Sequence, residues 1–362
     1  MTLNNETAML ADESQDVAAT AARGHNMFPR SGVDNEYTVI VDRSKAAVAW
    51  SATTTTRPPT TQWIDTLHAL SKVVDALTGL PVQPPSIYVD LEGQNLSRYG
   101  TISILQIHVY PTNTTYLIDV QSLGYKCFST AGKTRWTLKA ILESAYIPKV
   151  FFDVRSDSDA LFVLFGITLN GVVDLQLMEF AIRPRQRKKW VRGLESCVRY
   201  HATLSRYEKL RWNEIKEQGR ALFAPELGGS FQVFHQRPLQ RALLEYCAQD
   251  VSVMPCLWAQ YDSQMTKQLR EEVATASALR VWESHAVDYV SSGQHMALAP
   301  ISMIHPSVVD DWWRSYESSY QCYGWCPLVA IAPGGDTAGG SLFSSDVSSA
   351  SGIYTPTSWI VG

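Results

Sequence analysis

Apolar and polar side chains alternate along residues 87–92, and this period of two predicts a β-strand. Val89 and Leu91 fall on one face of the predicted strand, whereas Asp90 and Glu92 fall on the other. Two carboxylates that point the same way repel each other, so the pair is costly unless a positive charge lies between them. A divalent cation is the usual partner of such a pair.

Four further apolar segments predict the rest of a sheet, at residues 101–109, 115–120, 149–152 and 172–174. The first three strands are joined by connections short enough for hairpins, whereas the later strands alternate with helices. Apolar residues at helical spacing predict helices at residues 63–77, 136–145, 156–165, 175–182, 193–204, 238–261 and 271–290. This order of elements predicts an α/β fold with a mixed sheet.

The two ends of the chain differ from its middle part. Residues 1–60 have little apolar periodicity and residues 333–362 are rich in Gly and Ser, so we expect both segments to be mostly disordered. Between them we expect one domain over residues 61–265 and a helical C-terminal extension over residues 266–332.

Composition indicates a globular protein that can bury a large core, with 362 residues of which 45% are hydrophobic. No apolar run approaches the ~20 residues that a membrane helix needs, and the N-terminal residues lack a secretion signal. We therefore expect no membrane contact and an intracellular location, in the nucleus or the cytoplasm. The six cysteines are scattered, which favours reduced thiols. The net charge of −4 means that any nucleic-acid binding needs a local basic patch.

One basic patch lies at residues 183–192, where six of ten residues are basic and none is acidic. It predicts contacts with the phosphates of a nucleic acid, and the adjacent Trp190 can stack on a base. The plainer interpretation is a solvated, charged surface. The candidate nucleic-acid-binding residues are Arg185, Arg187, Lys188, Lys189 and Arg192.

Three aspartates lie where the fourth predicted strand leads into a helix, and helical geometry chooses among them. Asp157 shares a face with Leu161, four residues later, so it lies on the side that meets the sheet. Asp159 lies two residues further on, roughly 200° around the helix, and is expected to face water. Asp157 is therefore the candidate metal ligand, and Asp153 at the strand end is the second choice. Asp157 can also be read as an acidic residue that merely complements the helix dipole.

The long predicted helix at residues 238–261 supplies another carboxylate. Tyr246 and Asp250 are four residues apart and share a face with the apolar Leu243 and Val253. A carboxylate on such a core-facing stripe is costly without a partner. Taken alone, an Asp-x-Glu sequence is often a solvated turn, and Tyr-x-x-x-Asp is common by chance. Their combination with the third acidic segment in one chain predicts a shared site.

Together these segments resemble the three exonuclease motifs of the DEDD superfamily, at residues 90–93 with 96–100 and 105–108, at 149–161, and at 246–250. The tyrosine is typical of the DEDDy branch, which includes ribonuclease D and the Werner-type exonuclease domain. The sequence is most similar to fungal 3′–5′ exonuclease domain proteins and their Egalitarian-type animal relatives. The resemblance covers residues 84–262. It implies a ribonuclease H-like fold with a five-stranded mixed sheet flanked by helices.

The resemblance also implies roles for individual residues. Four match the metal-binding carboxylates and one matches the tyrosine that positions the attacking water: Asp90, Glu92, Asp157, Asp250 and Tyr246. An all-oxygen ligand set suits Mg²⁺ or Mn²⁺ rather than zinc, and two ions would act together. Asp174 fits an acidic position that is not usually a ligand. One departure is Phe152, where close relatives often have His.

The expected activity is a two-metal 3′–5′ exonuclease that releases nucleoside monophosphates from single-stranded 3′ ends of RNA or DNA. The alternative is an RNA-binding adaptor of the Egalitarian type, in which carboxylates have been lost and activity is weak or absent. The four carboxylates and the tyrosine are all retained here, which favours the enzyme. A protein distinguishes RNA from DNA mainly by contacts with the 2′-hydroxyl group, and none of these motifs indicates such a contact.

Overall fold

A six-stranded mixed sheet forms the centre of the protein, which is described by a computed structural model over residues 59–184, 189–300 and Met303. The strands lie in the order β1-β4-β3-β2-β5-β6. Their bounds are β1 (Thr60–Ile64), β2 (Ile87–Glu92), β3 (Ile104–Val109), β4 (Thr114–Asp119), β5 (Lys149–Phe151) and β6 (Val172–Asp174). Strands β2, β3 and β4 form an antiparallel meander, and β1, β5 and β6 join it in parallel. The predicted α/β fold with a mixed sheet is confirmed.

Helices flank the sheet. Their bounds are α1 (Leu67–Ala76), α2 (Val120–Leu123), α3 (Lys126–Ser129), α4 (Leu138–Glu143), α5 (Arg155–Phe165), α6 (Leu175–Ile182), α7 (Leu194–His201), α8 (Arg206–Phe223), α9 (Arg241–Ser252), α10 (Met254–Asp262) and α11 (Lys267–Ser284). Short 3₁₀ turns occupy Tyr110–Thr112, Pro225–Leu227, Phe231–His235 and Gln294–Ala297. Within these described residues no helix combines the length and apolar character needed to cross a membrane.

The expected number of strands was too low by one. The sixth strand is β1, which pairs in parallel with β4 at the edge of the sheet. Its last two residues, from Trp63, were predicted to start a helix, because Trp63 is four residues from Leu67 and so fits a helical spacing. The helix instead begins at Leu67, where the side chain of Thr66 accepts a hydrogen bond from the Ala69 amide and caps the first turn.

The short helices α2 and α3 were not predicted, and α11 begins and ends a few residues earlier than expected. The helices differ from the prediction in two larger respects. The single long helix expected at residues 238–261 is divided into α9 and α10, which meet at Val253. Pro255 fits the first turn of α10, where no amide hydrogen is needed, but it would break a continuous helix. The second difference is α8, an 18-residue helix that the apolar pattern did not predict. Its start is set by a capping box between Ser205 and Glu208.

Alternate side chains of β2 point into two different cores. Val89 packs in one core with Leu70 of α1 and Leu161 of α5. Tyr88 belongs to a second core, which contains Val251 of α9. Because side chains alternate along a strand, the two cores lie on opposite faces of the sheet. Helix α9 therefore lies on the face to which the even-numbered residues of β2 point.

Helix α11 is anchored to the sheet by a buried ion pair. The Arg280 guanidinium lies 2.7 Å from Asp174 Oδ2 and 3.4 Å from Asp153 Oδ1. The Asp174 carboxylate also accepts hydrogen bonds from the backbone amides of Asp153, Val154 and Gln176. This one carboxylate therefore joins the end of β5, the start of α6 and helix α11.

Residue 108 lies in the middle of the meander. His108 of β3 pairs with Thr115 of β4, and its Nδ1 is 2.9 Å from Thr115 Oγ1. The ring is 2% exposed, and burial lowers the pKa of His108 to about 4. The fold therefore holds this imidazole in its neutral form.

We expect Arg280→Met to destabilise the protein by about 3–5 kcal/mol, because it leaves the buried Asp174 carboxylate without its partner. Urea unfolding at neutral pH measures this loss. The control is Lys267→Met at the other end of the same helix, where the ion pair with Glu271 is exposed and little change is expected. Equal stability of the two variants would show that the buried pair does not anchor α11.

We expect His108→Gln to make the protein less sensitive to acid. The histidine binds a proton near pH 6.5 when unfolded but only near pH 4 when folded, so its contribution to stability is lost as the pH falls through this window. Between pH 7.5 and pH 5 the wild type should lose up to about 2 kcal/mol relative to the variant. Urea titrations at both pH values measure the difference.

His68→Gln is the matched control for this prediction. His68 is exposed on α1, so this variant removes a histidine from the surface and shows whether the effect is particular to the buried one. A wild type and a His108→Gln variant that lose the same free energy on acidification would contradict the prediction.

Candidate metal centre

Two of the predicted ligands lie at the C-terminal end of β2. Asp90 and Glu92 are two residues apart on this strand and project from the same face, as the alternation predicts. Both residues are half-buried, because helix α9 covers that face. The strand therefore holds two carboxylates together under a helix.

Helix α9 supplies the third carboxylate and the tyrosine. Asp250 and Tyr246 lie one turn apart on this helix, and both are buried. Ligand oxygens of Asp90, Glu92 and Asp250 all lie within 4.8 Å of one another. The structure thus brings together three side chains that are separated by up to 160 residues in the sequence.

Asp157 lies beside this group, in the first turn of α5. Helix α5 follows β5, which is parallel to β2, so the start of α5 lies at the same edge of the sheet as Asp90 and Glu92. Asp157 is buried, and its Oδ1 has no hydrogen-bond partner among the described residues. Asp157 is therefore close to the three-carboxylate group but is not one of its closest members.

Burial and mutual repulsion make these carboxylates hard to ionise. Burial and the charge of Asp250 raise the pKa of Asp90 to about 7. Burial and the charge of Asp90 raise the pKa values of both Glu92 and Asp157 well above their usual range. Burial also raises the pKa of Asp250, although Lys216 opposes the change. A positive charge at this centre would relieve the repulsion.

The donor set fits a hard divalent cation. The four groups are carboxylates, which Mg²⁺ and Mn²⁺ prefer as ligands. Two of their oxygens, Asp157 Oδ1 and Asp250 Oδ1, are buried without a hydrogen-bond partner in the described part of the chain. A buried carboxylate oxygen without a partner is costly, and a cation would supply the missing interaction.

Gln106 positions one of the carboxylates, a role that the sequence did not reveal. It lies on β3 directly opposite Asp90. With its amide nitrogen turned toward the two acceptors, Gln106 donates hydrogen bonds to Asp90 Oδ2 at 3.0 Å and to the Cys247 carbonyl at 3.1 Å. It therefore links the strand carboxylate to helix α9.

Lys216 is the second residue that sequence reasoning missed. It lies on α8, and its ammonium group makes an ion pair and a hydrogen bond with Asp250 Oδ2. The same nitrogen donates a hydrogen bond to the Tyr246 hydroxyl at 3.1 Å and lies 4.3 Å from the centre of the tyrosine ring. If α8 had been predicted from the sequence, a basic residue near the acidic centre could have been expected.

Helix α8 packs very closely on the tyrosine. A Cβ atom at Gly219 would lie 2.6 Å from the Tyr246 side chain, which is a steric clash. Trp212 on the same helix is buried, and its carbonyl accepts a hydrogen bond from Gln249 of α9 at 3.1 Å. The close packing of α8 on α9 therefore depends on the small Gly219 of α8 and on the hydrogen bond from Gln249 of α9.

The other two aspartates of the second acidic segment have structural partners. Asp153 accepts two hydrogen bonds of 2.6 Å from the Arg155 guanidinium. Burial alone would raise the pKa of Asp153, but the charges of Arg280 and Arg155 outweigh it and lower this pKa. The expectation that Asp159 faces water was wrong. Asp159 is fully buried and pairs with Arg98 at 2.7 Å. Arg98 comes from the loop after β2, a partner that helical geometry alone cannot reveal.

The basic patch is only partly described. Arg185, Arg187 and Lys188 lie outside the described residues. Lys189 and Trp190 are exposed, and the lysine ammonium lies 5.3 Å from the indole ring. Arg192 instead contacts the buried Glu179 at 3.2 Å, so this arginine has a structural partner.

Comparison with known proteins agrees with the fold. The sequence model of the 3′–5′ exonuclease family matches residues 61–266. The piRNA biogenesis protein EXD1 of Homo sapiens is 28% identical over 185 residues, which cover 46% of this chain and 34% of that protein. The Xenopus laevis protein of the same name is 32% identical over 122 residues, or 33% of this chain and 26% of that protein. The matched segments thus span about a third or less of these relatives.

Solved structures of RNase D from Trypanosoma brucei have a similar fold. One, a complex with RNA U12, is 22% identical with a TM-score of 0.55 and covers 68% of this chain and 78% of that chain. Another is 25% identical with a TM-score of 0.52 and covers 65% of this chain and 75% of that chain. Because the family model matches more than half of the sequence, this chain belongs to the 3′–5′ exonuclease family, in its DEDDy branch.

Proposed function

We propose that this protein is a metal-dependent 3′–5′ exonuclease that shortens single-stranded nucleic acid from its 3′ end. The observation that carries the proposal is the meeting of Asp90, Glu92 and Asp250 within 4.8 Å, with Tyr246 one helical turn away. RNA is the first substrate to test, because the similar RNase D structure holds RNA and the curated relatives are named for piRNA biogenesis. Phosphate contacts would supply most of the affinity.

Asp90, Glu92, Asp157 and Asp250 would hold Mg²⁺ or Mn²⁺. Such ions, when bound in a pair, activate a water molecule and stabilise the departing 3′ oxygen. The half-buried position of Asp90 and Glu92 leaves part of their surface open to a substrate phosphate. Asp157 and Asp250, which are buried, are held rigidly by α5 and α9.

Tyr246 would orient the attacking water. Burial and the charge of Glu92 raise the pKa of Tyr246 well above its usual value, so the phenol stays protonated at neutral pH. A protonated hydroxyl can donate a hydrogen bond to a water molecule but cannot act as a general base. Its role is therefore to position the nucleophile.

A second candidate function is that of an RNA-binding adaptor with weak or no activity. The ion pair between Lys216 and Asp250 favours it, because the lysine satisfies one carboxylate without any cation. The retained carboxylates at Asp90, Glu92 and Asp157 favour the enzyme, since an adaptor has no use for their repulsion.

We expect Asp90→Asn to abolish nuclease activity while raising the stability of the metal-free protein. The change removes a ligand, and a loss of about 10³-fold in rate is expected. The pKa of Asp90 is raised to about 7 in the folded protein, so ionisation of Asp90 lowers the stability of the fold increasingly as the pH rises from about 4 to 7. The substitution removes this loss of stability. Shortening of 5′-labelled single-stranded RNA and DNA with Mg²⁺, Mn²⁺ or EDTA measures the first effect, and thermal unfolding at pH 7.5 measures the second.

Asp65→Asn is the matched control, since Asp65 is exposed between β1 and α1. It should change neither activity nor stability. A wild type that binds RNA but shortens no strand with any metal would support the adaptor instead. A fully active Asp90→Asn variant would exclude this centre as the site of hydrolysis.

We expect replacement of the basic patch to weaken nucleic-acid binding. The variant carries four changes to alanine, at Arg185, Arg187, Lys188 and Lys189. Its affinity for single-stranded RNA should fall, and its affinity should depend less on salt, because each lost phosphate contact lowers the salt slope by about 0.7. Fluorescence anisotropy at several salt concentrations measures both.

The control for the patch carries the same loss of charge elsewhere on the protein. It replaces four exposed lysines with alanine: Lys72, Lys126, Lys133 and Lys267. If both variants show the same change in salt slope, net charge rather than the patch determines binding, and the prediction is wrong.

A further inference from the structure

Lys216 places a positive charge inside the acidic centre. Its ammonium group is bound to Asp250 Oδ2, one of the three carboxylates whose ligand oxygens lie within 4.8 Å of one another. The charge of Lys216 also acts on Asp90 and Glu92, because it opposes the rise in their pKa values. One lysine therefore interacts with all three carboxylates of the group.

The position of this lysine is not that of a loose surface side chain. Its side chain is only 15% exposed, and the ammonium lies 4.3 Å from the ring centre of Tyr246 and 5.6 Å from that of Trp212. Helix α8 holds it there, since Gly219 allows the helix to touch Tyr246 directly. The packing of helix α8 thus fixes the position of the Lys216 charge.

The lysine and a divalent cation would compete for the charge of the same carboxylate. Lys216 contacts Asp250 through Oδ2, so an ion held by Asp90, Glu92 and either oxygen of Asp250 would share a carboxylate that the lysine already neutralises. Two positive charges in a poorly solvated space a few ångströms wide repel each other strongly. Binding of the cation must therefore break or weaken the lysine contact.

We propose that Lys216 is an internal counter-ion that competes with the divalent cation for Asp250 and thereby sets the metal affinity of the centre. This inference rests on the proposed function in so far as it takes the carboxylates to be metal ligands. In the metal-free protein the lysine offsets the carboxylate repulsion and stabilises the fold. In the protein with a bound ion the lysine is released from Asp250, and its positive charge lowers the affinity for the ion.

The test measures Mn²⁺ binding to the whole 362-residue chain without nucleic acid. Isothermal titration calorimetry should show that Lys216→Met binds Mn²⁺ about tenfold more tightly than the wild type, because the competing charge is gone. Thermal unfolding in EDTA should show a lower midpoint for the variant, and saturating Mn²⁺ should remove the difference. If the Met variant does not fold, Lys216→Gln serves instead, because its amide can still donate to Asp250 without a charge.

Two variants control for charge and position. Arg211→Met removes a positive charge from an exposed position on the same helix and should leave Mn²⁺ affinity unchanged. Lys216→Arg keeps the charge and should bind Mn²⁺ no more tightly than the wild type, because a two-point arginine contact is harder to displace. If Arg binds as tightly as Met, the charge is not the cause and the proposal is overturned.

Activity is scored separately from metal affinity. Tighter Mn²⁺ binding by Lys216→Met supports the counter-ion even if neither protein shortens RNA. Equal or weaker Mn²⁺ binding by that variant overturns the counter-ion even if both proteins are active exonucleases. Absence of Mn²⁺ binding in both proteins overturns the counter-ion and the metal-dependent exonuclease together.

Discussion

Repulsion among buried carboxylates is the constraint on which the functional part of this protein depends. Four acidic side chains meet where β2, α5 and α9 converge, and burial raises the pKa of each of them. Such a cluster costs folding free energy, so a fold can retain it only if the rest of the structure is stable enough to bear the cost. The buried ion pairs and the apolar clusters on both faces of the sheet stabilise the described part of the chain and offset this cost. Part of the folding free energy is thus spent on an acidic cluster, which in the proposed function would hold a divalent cation.

The partners of the acidic residues separate structural roles from chemical ones. Around the start of α5, three aspartates have arginine partners: Asp153 with Arg155 and Arg280, Asp159 with Arg98, and Asp174 with Arg280. These pairs join the loop after β2 and helix α11 to the sheet. Asp157 lies among them without an ion pair in the described residues and with one oxygen that lacks any partner. A carboxylate left unpaired among paired ones is the one available for a ligand.

Local patterns predicted the residues of the centre better than they predicted its surroundings. Alternation along β2 and the four-residue spacing on α9 are properties of single elements, so they placed Asp90, Glu92, Tyr246 and Asp250 correctly on their faces. Asp159 was misplaced because its burial depends on Arg98, which is 61 residues away in the chain. Strand β1 was missed because its pairing with β4 is a long-range interaction, and Trp63 happens to fit a helical spacing. Helix α8 was missed because most of its residues are charged or polar, and Gly219 interrupts its sparse row of apolar residues at Trp212, Ile215 and Leu222.

The choice of lysine rather than arginine in the centre fits an exchangeable contact. Two of the arginine pairs in this protein are two-point contacts. Arg155 donates to both oxygens of Asp153, and Arg237 donates to both oxygens of Asp119. Such planar, two-point contacts are difficult to replace. Lys216 is a point charge that contacts one oxygen of Asp250 and leaves the other without a partner in the described chain. A single contact of this kind neutralises the carboxylate in the absence of an ion, yet it leaves the ligand set incomplete. The geometry therefore favours replacement of the lysine by a cation that can satisfy several carboxylates at once.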